Sequence, residues 1–253
     1  MVDNEIFEGD GILLKIVTVN GSPRKGNTYK ATELFKEEMR KRGEIEFVDF
    51  FLPNDLPEFC CGCMTCFLKG EEKCPHSDYT MPILEQIVSA DALIFTTPVF
   101  VLSLSGCMKS FLDHYAYIFI VHRARTEMFK KKAFIISSTV GAGTKSSIKT
   151  ISTSLKYWGV NRVYSYSFKT FGDEWDNMKA AKKQKLETQI KKKASQFYKE
   201  VSSDKKHSPY LIIRIMFLIS KFIIRKYTDD SSLDKKYWIE KGWYSGIKSP
   251  FKQ

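Results

Sequence analysis

The chain of 253 residues carries 40 Lys and Arg against 29 Asp and Glu, a formal net charge of +11, and is 43% hydrophobic. That is enough apolar material for a folded core, either one large domain or a domain of roughly 150–200 residues with an appendage. Residues 1–10 are acidic and hold no apolar run, which excludes a secretory signal peptide and points to the cytoplasm. Five of the six cysteines then read as free thiols or metal ligands between Cys60 and Cys74, rather than as a disulfide scaffold.

In chain order, residues 12–19 form a short apolar run of buried-strand type. A small-residue loop follows, then a helix to residue 42 with Ala31, Leu34, Phe35 and Met39 on one face. A second strand is expected at 45–51, and a loop rich in Cys, Pro, Gly and charge at 53–78. Residues 81–89 read as a helix, 92–97 as a very apolar third strand, and 104–121 as one long helix. A fourth strand (133–138), a helix (146–158) closed by Gly159, a fifth strand (160–168) and a Lys-rich helix (175–201) complete the pattern. Five alternations of strand and helix imply a parallel sheet covered on both faces. The order 2-1-3-4-5, with one switch point, suits them. Ligands in such sheets sit beyond the carboxyl ends of the strands. That places the loops 20–28, 52–78, 97–103 and 139–145 around any site, and these are the loops of unusual composition.

The first of them, Asn20-Gly21-Ser22-Pro23-Arg24-Lys25-Gly26-Asn27-Thr28, is built for a phosphate. Ser22, Asn27 and Thr28 bring hydroxyls and amides, and Gly21 and Gly26 allow close backbone approach. Arg24 and Lys25 add positive charge. The following helix turns its positive end to the same point. Neither Gly-x-Gly-x-x-Gly nor a Walker-type Gly-Lys-Ser/Thr is present. A single terminal phosphate, such as that of FMN, therefore fits better than a dinucleotide pyrophosphate or an ATP tail. The plain alternative is an ordinary strand-to-helix turn.

Cys60, Cys63, Cys66 and Cys74 follow the pattern C-x2-C-x2-C-x7-C, with Cys61 beside them. Three thiolates two residues apart can converge on one face of a [4Fe–4S] cluster, and the fourth can close it. Zinc, held by four Cys or by three with His76, is a rival. So is a metal-free loop in which the thiols pack as small hydrophobes. Cys107, His114 and His122 read as structural.

The charge is uneven: residues 178–253 hold 19 of the basic and 7 of the acidic residues. Within them, 209–226 is strongly apolar but interrupted by Arg214, Lys221 and Arg225, which share one helical face. It is too short and too charged to span a bilayer, and fits a helix lying in a membrane interface or against a partner. The alternative is packing on the domain or in a dimer interface. Lys205, Lys206 and residues 191–193 would add attraction to anionic lipid. Tyr237, Trp238, Trp243 and Tyr244 fit the cap of a packed extension. Nucleic acid is the weaker partner reading, since no helix-turn-helix or zinc-finger spacing accompanies the charge.

Gly21 to Thr28, Thr96-Thr97-Pro98-Val99-Phe100 and Met108-Lys109-Ser110-Phe111-Leu112-Asp113 together resemble the NADPH-dependent FMN reductases. The cysteine loop resembles the iron–sulfur flavoprotein branch of that family. The resemblance covers residues 12–172, with nothing for the tail, and implies an α/β, flavodoxin-like three-layer sandwich over 1–172; residues 173–253 read, from their own charge and pattern, as a basic helical extension. It implies FMN as cofactor, NAD(P)H as co-substrate and a quinone, flavin or other small acceptor. Ser22, Arg24, Lys25, Gly26, Asn27 and Thr28 would hold the phosphate. Thr97, Pro98, Val99 and Phe100 would run along the ring, with Val140, Gly141 and Gly143 opening the third loop. Because the chemistry is the cofactor's own, no catalytic side chain is implied. A homodimer or higher oligomer is implied too. Phe100 stands where a Tyr is common and His114 where an Arg is common. The alternative role is an electron-transfer flavoprotein serving a protein partner.

Overall fold

Residues 13–203, 209–246 and 248–251 are described in this computed structural model. The segment 1–10, residue 12, Lys205 and Lys206 lie outside them. Near-continuous apolar runs make the central strands β1 (Leu14–Asn20), β3 (Ala92–Pro98) and β4 (Lys132–Thr139), buried along almost their whole length. The more polar β2 (Ile45–Phe51) and β5 (Arg162–Lys169) take the half-exposed edges. All five are parallel, in the order β2-β1-β3-β4-β5, as the alternation predicts.

Side chains alternate across the sheet with period two. Val17, Val19, Leu93, Phe95, Ala133 and Ile135 face one layer, formed by α3 (Ser77–Ser89), α4 (Gly106–His114) and α5 (Thr144–Tyr157). Ile16, Ala92, Ile94, Phe134 and Ile136 face the other, formed by α1 (Asn27–Arg40) and α6 (Ala180–Ser202). In that layer Phe35 meets Phe134 at 4.6 Å and Phe134 meets Phe197 at 5.3 Å between ring centroids. The chain therefore has a flavodoxin-like three-layer sandwich with a helical C-terminal region, and α6 shares one of its outer layers with α1.

The single helix expected at 104–121 is instead α4 followed by turns and a short 3-10 helix, Ala116–Ile118. Tyr115, Tyr117, Ile118 and Ile120 are all buried, which no one helical face provides. The backbone breaks at Tyr115 (φ −105°, ψ 24°), letting its hydroxyl donate to Thr80 O at 2.8 Å. The loop 53–78 also holds a one-turn helix, α2 (Thr65–Leu68), and a 3-10 turn, Glu71–Lys73.

Beyond the sandwich lie α7 (Leu211–Tyr227) and α8 (Leu233–Glu240). Ile213, Phe217, Ile224, Trp238 and Trp243 close a third small core with Ile120, Ala124 and Phe129. The aromatics at 237–244 thus cap a packed extension, as their spacing suggested. Among the described residues no helix is long and apolar enough to cross a membrane.

Candidate functional site: a cleft at the sheet rim and a cysteine loop

A cleft of about 670 Å³ opens beyond the carboxyl ends of β1, β3, β4 and β5, within the usual size of a small-molecule site. Its floor is the β1–α1 turn. Gly21 N–H donates to Thr96 O at 2.7 Å, and a Cβ on Gly21 would lie only 2.8 Å from that oxygen, so this close approach requires glycine. Helix α1 starts at Asn27 with Gly26 before it and no side chain capping its first turn. Its positive end, flanked by Arg24 and Lys25, is thus left to whatever enters the cleft. Ser22, Arg24, Lys25, Gly26, Asn27 and Thr28 all line the cleft, as do Pro98, Val99, Phe100 and Val140.

The second loop closes as a two-residue hairpin: Phe100 and Ser103 exchange backbone hydrogen bonds of 2.9 and 3.0 Å. Its central residues, Val101 and Leu102, both hold positive φ (47° and 62°), a geometry usually given to Asn-Gly. Gly143 (φ 102°) lies beneath, and a Cβ there would stand 2.7 Å from Leu102 Cα. Gly143 therefore supports the hairpin rather than lining the cleft. Thr97 is fully buried under the rim, where its Oγ1 accepts from Ser105 N–H at 3.2 Å. Gly141 sits in the exposed turn after β4, its N–H donating to Thr139 Oγ1 at 3.2 Å.

A wall of the cleft comes from the loop after β5, absent from the sequence-based set. Thr170, Gly172, Asp173, Trp175 and Asp176 line it. Asn27 Nδ2 donates to Asp173 O at 2.8 Å, and Lys30 pairs with Asp176, tying this loop to α1. The available signal was Phe171-Gly172, a turn at the fifth strand's carboxyl end, with φ of 58° and 91°. Ser138 is a second addition: its Oγ lies 2.6 Å from Thr28 Oγ1.

The cysteine loop follows β2. Burial pushes the Cys66 thiol up to about 11, and the nearby Cys74 and Cys60 add to that shift. Cys74 is raised as well, first by burial and then by Cys63, Cys60 and Cys61. Cys63 is lowered by its hydrogen bond with Thr65, 3.2 Å away. Thiols that disturb one another in this way share one locale. Among the described residues, ligand atoms converge within 4.8 Å only for Cys74, His76 and His114. His114, read from sequence as structural, thus stands beside a cysteine and a second imidazole. Burial lowers its pKa, and Glu58 O lies 3.1 Å from its Nε2. His122 lies apart, 2.7 Å from Asp234.

Buried charge holds this loop in place. Arg123 bonds Cys66 O, Glu71 Oε2 (3.1 Å) and Asp234 Oδ1, while Arg125 pairs with the other oxygen of Glu71. Burial alone would raise Glu71, but its backbone N–H and the two guanidinium groups hold it below the usual carboxylate range.

The family model described as NADPH-dependent FMN reductase matches residues 14–169. An iron–sulfur flavoprotein of Archaeoglobus fulgidus is 27% identical over 234 residues, covering 91% of this chain and 100% of that protein. A second from the same organism is 33% identical over 100 residues, 40% of this chain and 48% of that one. One from Clostridioides difficile is 34% identical over 101 residues, 39% of this chain and 44% of that one. In these two matches the chain spans about half the length of the curated relative. Among solved structures, an NADH:FMN oxidoreductase in its apo form superposes with a TM-score of 0.55 at 19% identity, covering 76% and 92% of the two chains. An azoreductase from Bacillus anthracis gives 0.57 at 14% identity, covering 74% and 100%. At these identities the structural likeness speaks for the fold.

Proposed function

This chain belongs to the NADPH-dependent FMN reductase family, and on that premise we propose that it is an FMN-dependent NAD(P)H oxidoreductase whose cofactor lies in the cleft at the sheet rim. The observation that carries the reading is the uncapped amino end of α1, beside Arg24 and Lys25, opening into that cleft. An anion completes such a helix end, and the phosphate of FMN is one. The backbone N–H groups of Asn27 and Thr28, with the Ser22 hydroxyl, hold that phosphate. Pro98, Val99 and Phe100 would lie along the ring, with Val140 lining the same cleft. FMN, when bound, supplies the redox chemistry: two electrons taken from a nicotinamide and handed to an acceptor. The protein's part is to grip, orient and keep water from one side. No side chain has to act as acid or base.

The rim itself is apolar. Phe100, Val101, Leu102, Val140 and Phe171 are all exposed around the opening, a surface suited to a flat small-molecule acceptor such as a quinone or a second flavin. A second copy of the chain closing over the same rim is the oligomer this surface favours. The cysteine loop supports a further element: Cys60, Cys63, Cys66 and Cys74 would hold a [4Fe–4S] cluster, which exchanges single electrons. That favours, as second reading, an electron-transfer flavoprotein serving a protein partner.

Reconstitution with FMN tests the proposal. The protein is expected to keep about one FMN per chain through desalting, and NADPH or NADH is expected to bleach it anaerobically. A colourless protein overturns the cofactor assignment. A yellow protein that neither nucleotide bleaches favours the carrier. Iron and acid-labile sulfide assays on anaerobically purified protein decide the cluster.

A further inference from the structure

Helix α7 is apolar on both sides, and only one side is covered. Its inner face (Ile213, Phe217, Ser220, Ile224) is buried. Phe217 stacks on Trp238 at 4.9 Å and meets Trp243 and Phe251 edge-on at 5.4 and 5.2 Å. The outer face presents Leu211, Ile212, Ile215, Leu218, Ile219 and Phe222, each between 41% and 71% exposed. A helix that packs on a protein body ordinarily turns its polar side outward. Here the outward stripe is continuous from Leu211 to Phe222, about three turns and roughly 18 Å at 1.5 Å per residue.

The charges at its border are of one sign. Arg214, Lys221 and Arg225 follow one edge of the stripe at spacings of seven and four, and Lys226 adds a fourth cation. No Asp or Glu occurs between Leu211 and Tyr227. Before the helix, Tyr210 lies under Arg162 at 4.4 Å and near Lys156 at 5.8 Å, extending the basic border. Arg225 is steadied by Tyr244, donating to its carbonyl at 2.9 Å.

We propose that α7 is an in-plane membrane anchor: its outer stripe sits among the acyl chains of an anionic bilayer, with Arg214, Lys221 and Arg225 at the level of the lipid phosphates. Charge complementarity selects lipid over a second copy of the chain. The same helix of a second copy would bring the same cations and no carboxylate of its own to meet them, on a protein already at +11. An anionic headgroup layer supplies the missing negative charge along the whole edge. The helix is 17 residues long, short of the roughly 20 apolar residues a span requires, so it lies in the surface. Its inner face rests on Phe129, just before the amino end of β4, whereas the cleft lies beyond the carboxyl ends. The docked protein therefore turns its rim away from the bilayer and takes its acceptor from the aqueous side. None of this requires the cleft to hold FMN, so the two proposals fail separately.

Vesicle co-sedimentation of the full chain tests it, with and without Leu218→Glu and Phe222→Glu, two outward changes that leave the packed face intact. The unaltered protein is expected to pellet with phosphatidylcholine–phosphatidylglycerol vesicles at low salt. Binding should fall at least tenfold on pure phosphatidylcholine, and at least tenfold for the double variant, whose circular dichroism stays unchanged. Unaltered protein that remains in the supernatant, or pellets no better than the variant, overturns the proposal. So does sedimentation equilibrium showing a dimer that the double variant splits, because the stripe would then belong to a second copy.

Discussion

The proposed phosphate cradle and the cysteine loop flank the same end of the sheet and are held by different forces. The cradle is backbone: Gly21 N–H on Thr96 O, Leu52 N–H on Asn20 O at 2.8 Å, and the start of α1. Its shape follows from the strand pairing, and its cationic side chains hang from it into water. In the cysteine loop, α2 and the 3-10 turn bury no side chain of their own. What fixes it is Arg123, 5% exposed, with Glu71 on one side and Asp234 of α8 on the other. The first site is a property of the sandwich. The second depends on the C-terminal region, which reaches back through one carboxylate.

The contrast is most sharply tested at Arg123. Arg123→Met strands two partly buried carboxylates, a change that costs about 3–5 kcal/mol. The urea midpoint should fall accordingly; if the loop holds the proposed cluster, iron content should fall with it, while FMN retention in the surviving folded protein stays near that of the parent. A stable variant with normal iron would erase the distinction between the sites. Glu71→Gln should act in the same direction by about 1–3 kcal/mol, with a pH signature. Glu71 has a folded pKa below its usual 4.5, so its contribution is complete above that value and lost as pH falls through the folded one. The gap between parent and variant should therefore narrow as pH falls below 4.5.

On the cradle side, Gly21→Ala forces a methyl against a backbone oxygen, costing about 1–3 kcal/mol and weakening FMN at least tenfold by fluorescence titration. Arg24→Ala and Lys25→Ala should each weaken FMN only a few-fold, as expected of about 0.3–1 kcal/mol for an exposed charge at a helix end. The loss should shrink in high salt while the urea midpoint stays put.

These differences also explain what the sequence discloses. Strand order and cradle are legible because each rests on local rules: apolar runs for β1, β3 and β4, and small residues before α1. The wall formed by Thr170, Asp173 and Trp175 was not, because it depends on Asn27 bonding a carbonyl 146 residues away. The break after His114 was hidden as well. Residues 115–120 hold no Gly or Pro to mark a break, and burial on several sides at once makes them turn. The coupling of Arg123 to Glu71 and Asp234 joins three distant segments, and no spacing in the chain announces it. The grouping of His114 with Cys74 and His76 has the same origin.

The smallest expected effect lies at Leu102, where the backbone of the cradle's side is itself strained. A non-glycine residue at positive φ costs about 1–2 kcal/mol, and a glycine there gives back about 0.5–1 kcal/mol through added freedom of the unfolded chain. Leu102→Gly should therefore stabilise the protein by about 0.5 kcal/mol, a rise of a degree or two in Tm. The same change removes an exposed apolar side chain from the rim. If that rim keeps water off the flavin, FMN affinity falls a few-fold while stability rises, and the two readouts separate. A variant gaining stability with no change in FMN affinity would show that the hairpin's strain serves the fold alone, and that the cradle holds its ligand without help from the second loop.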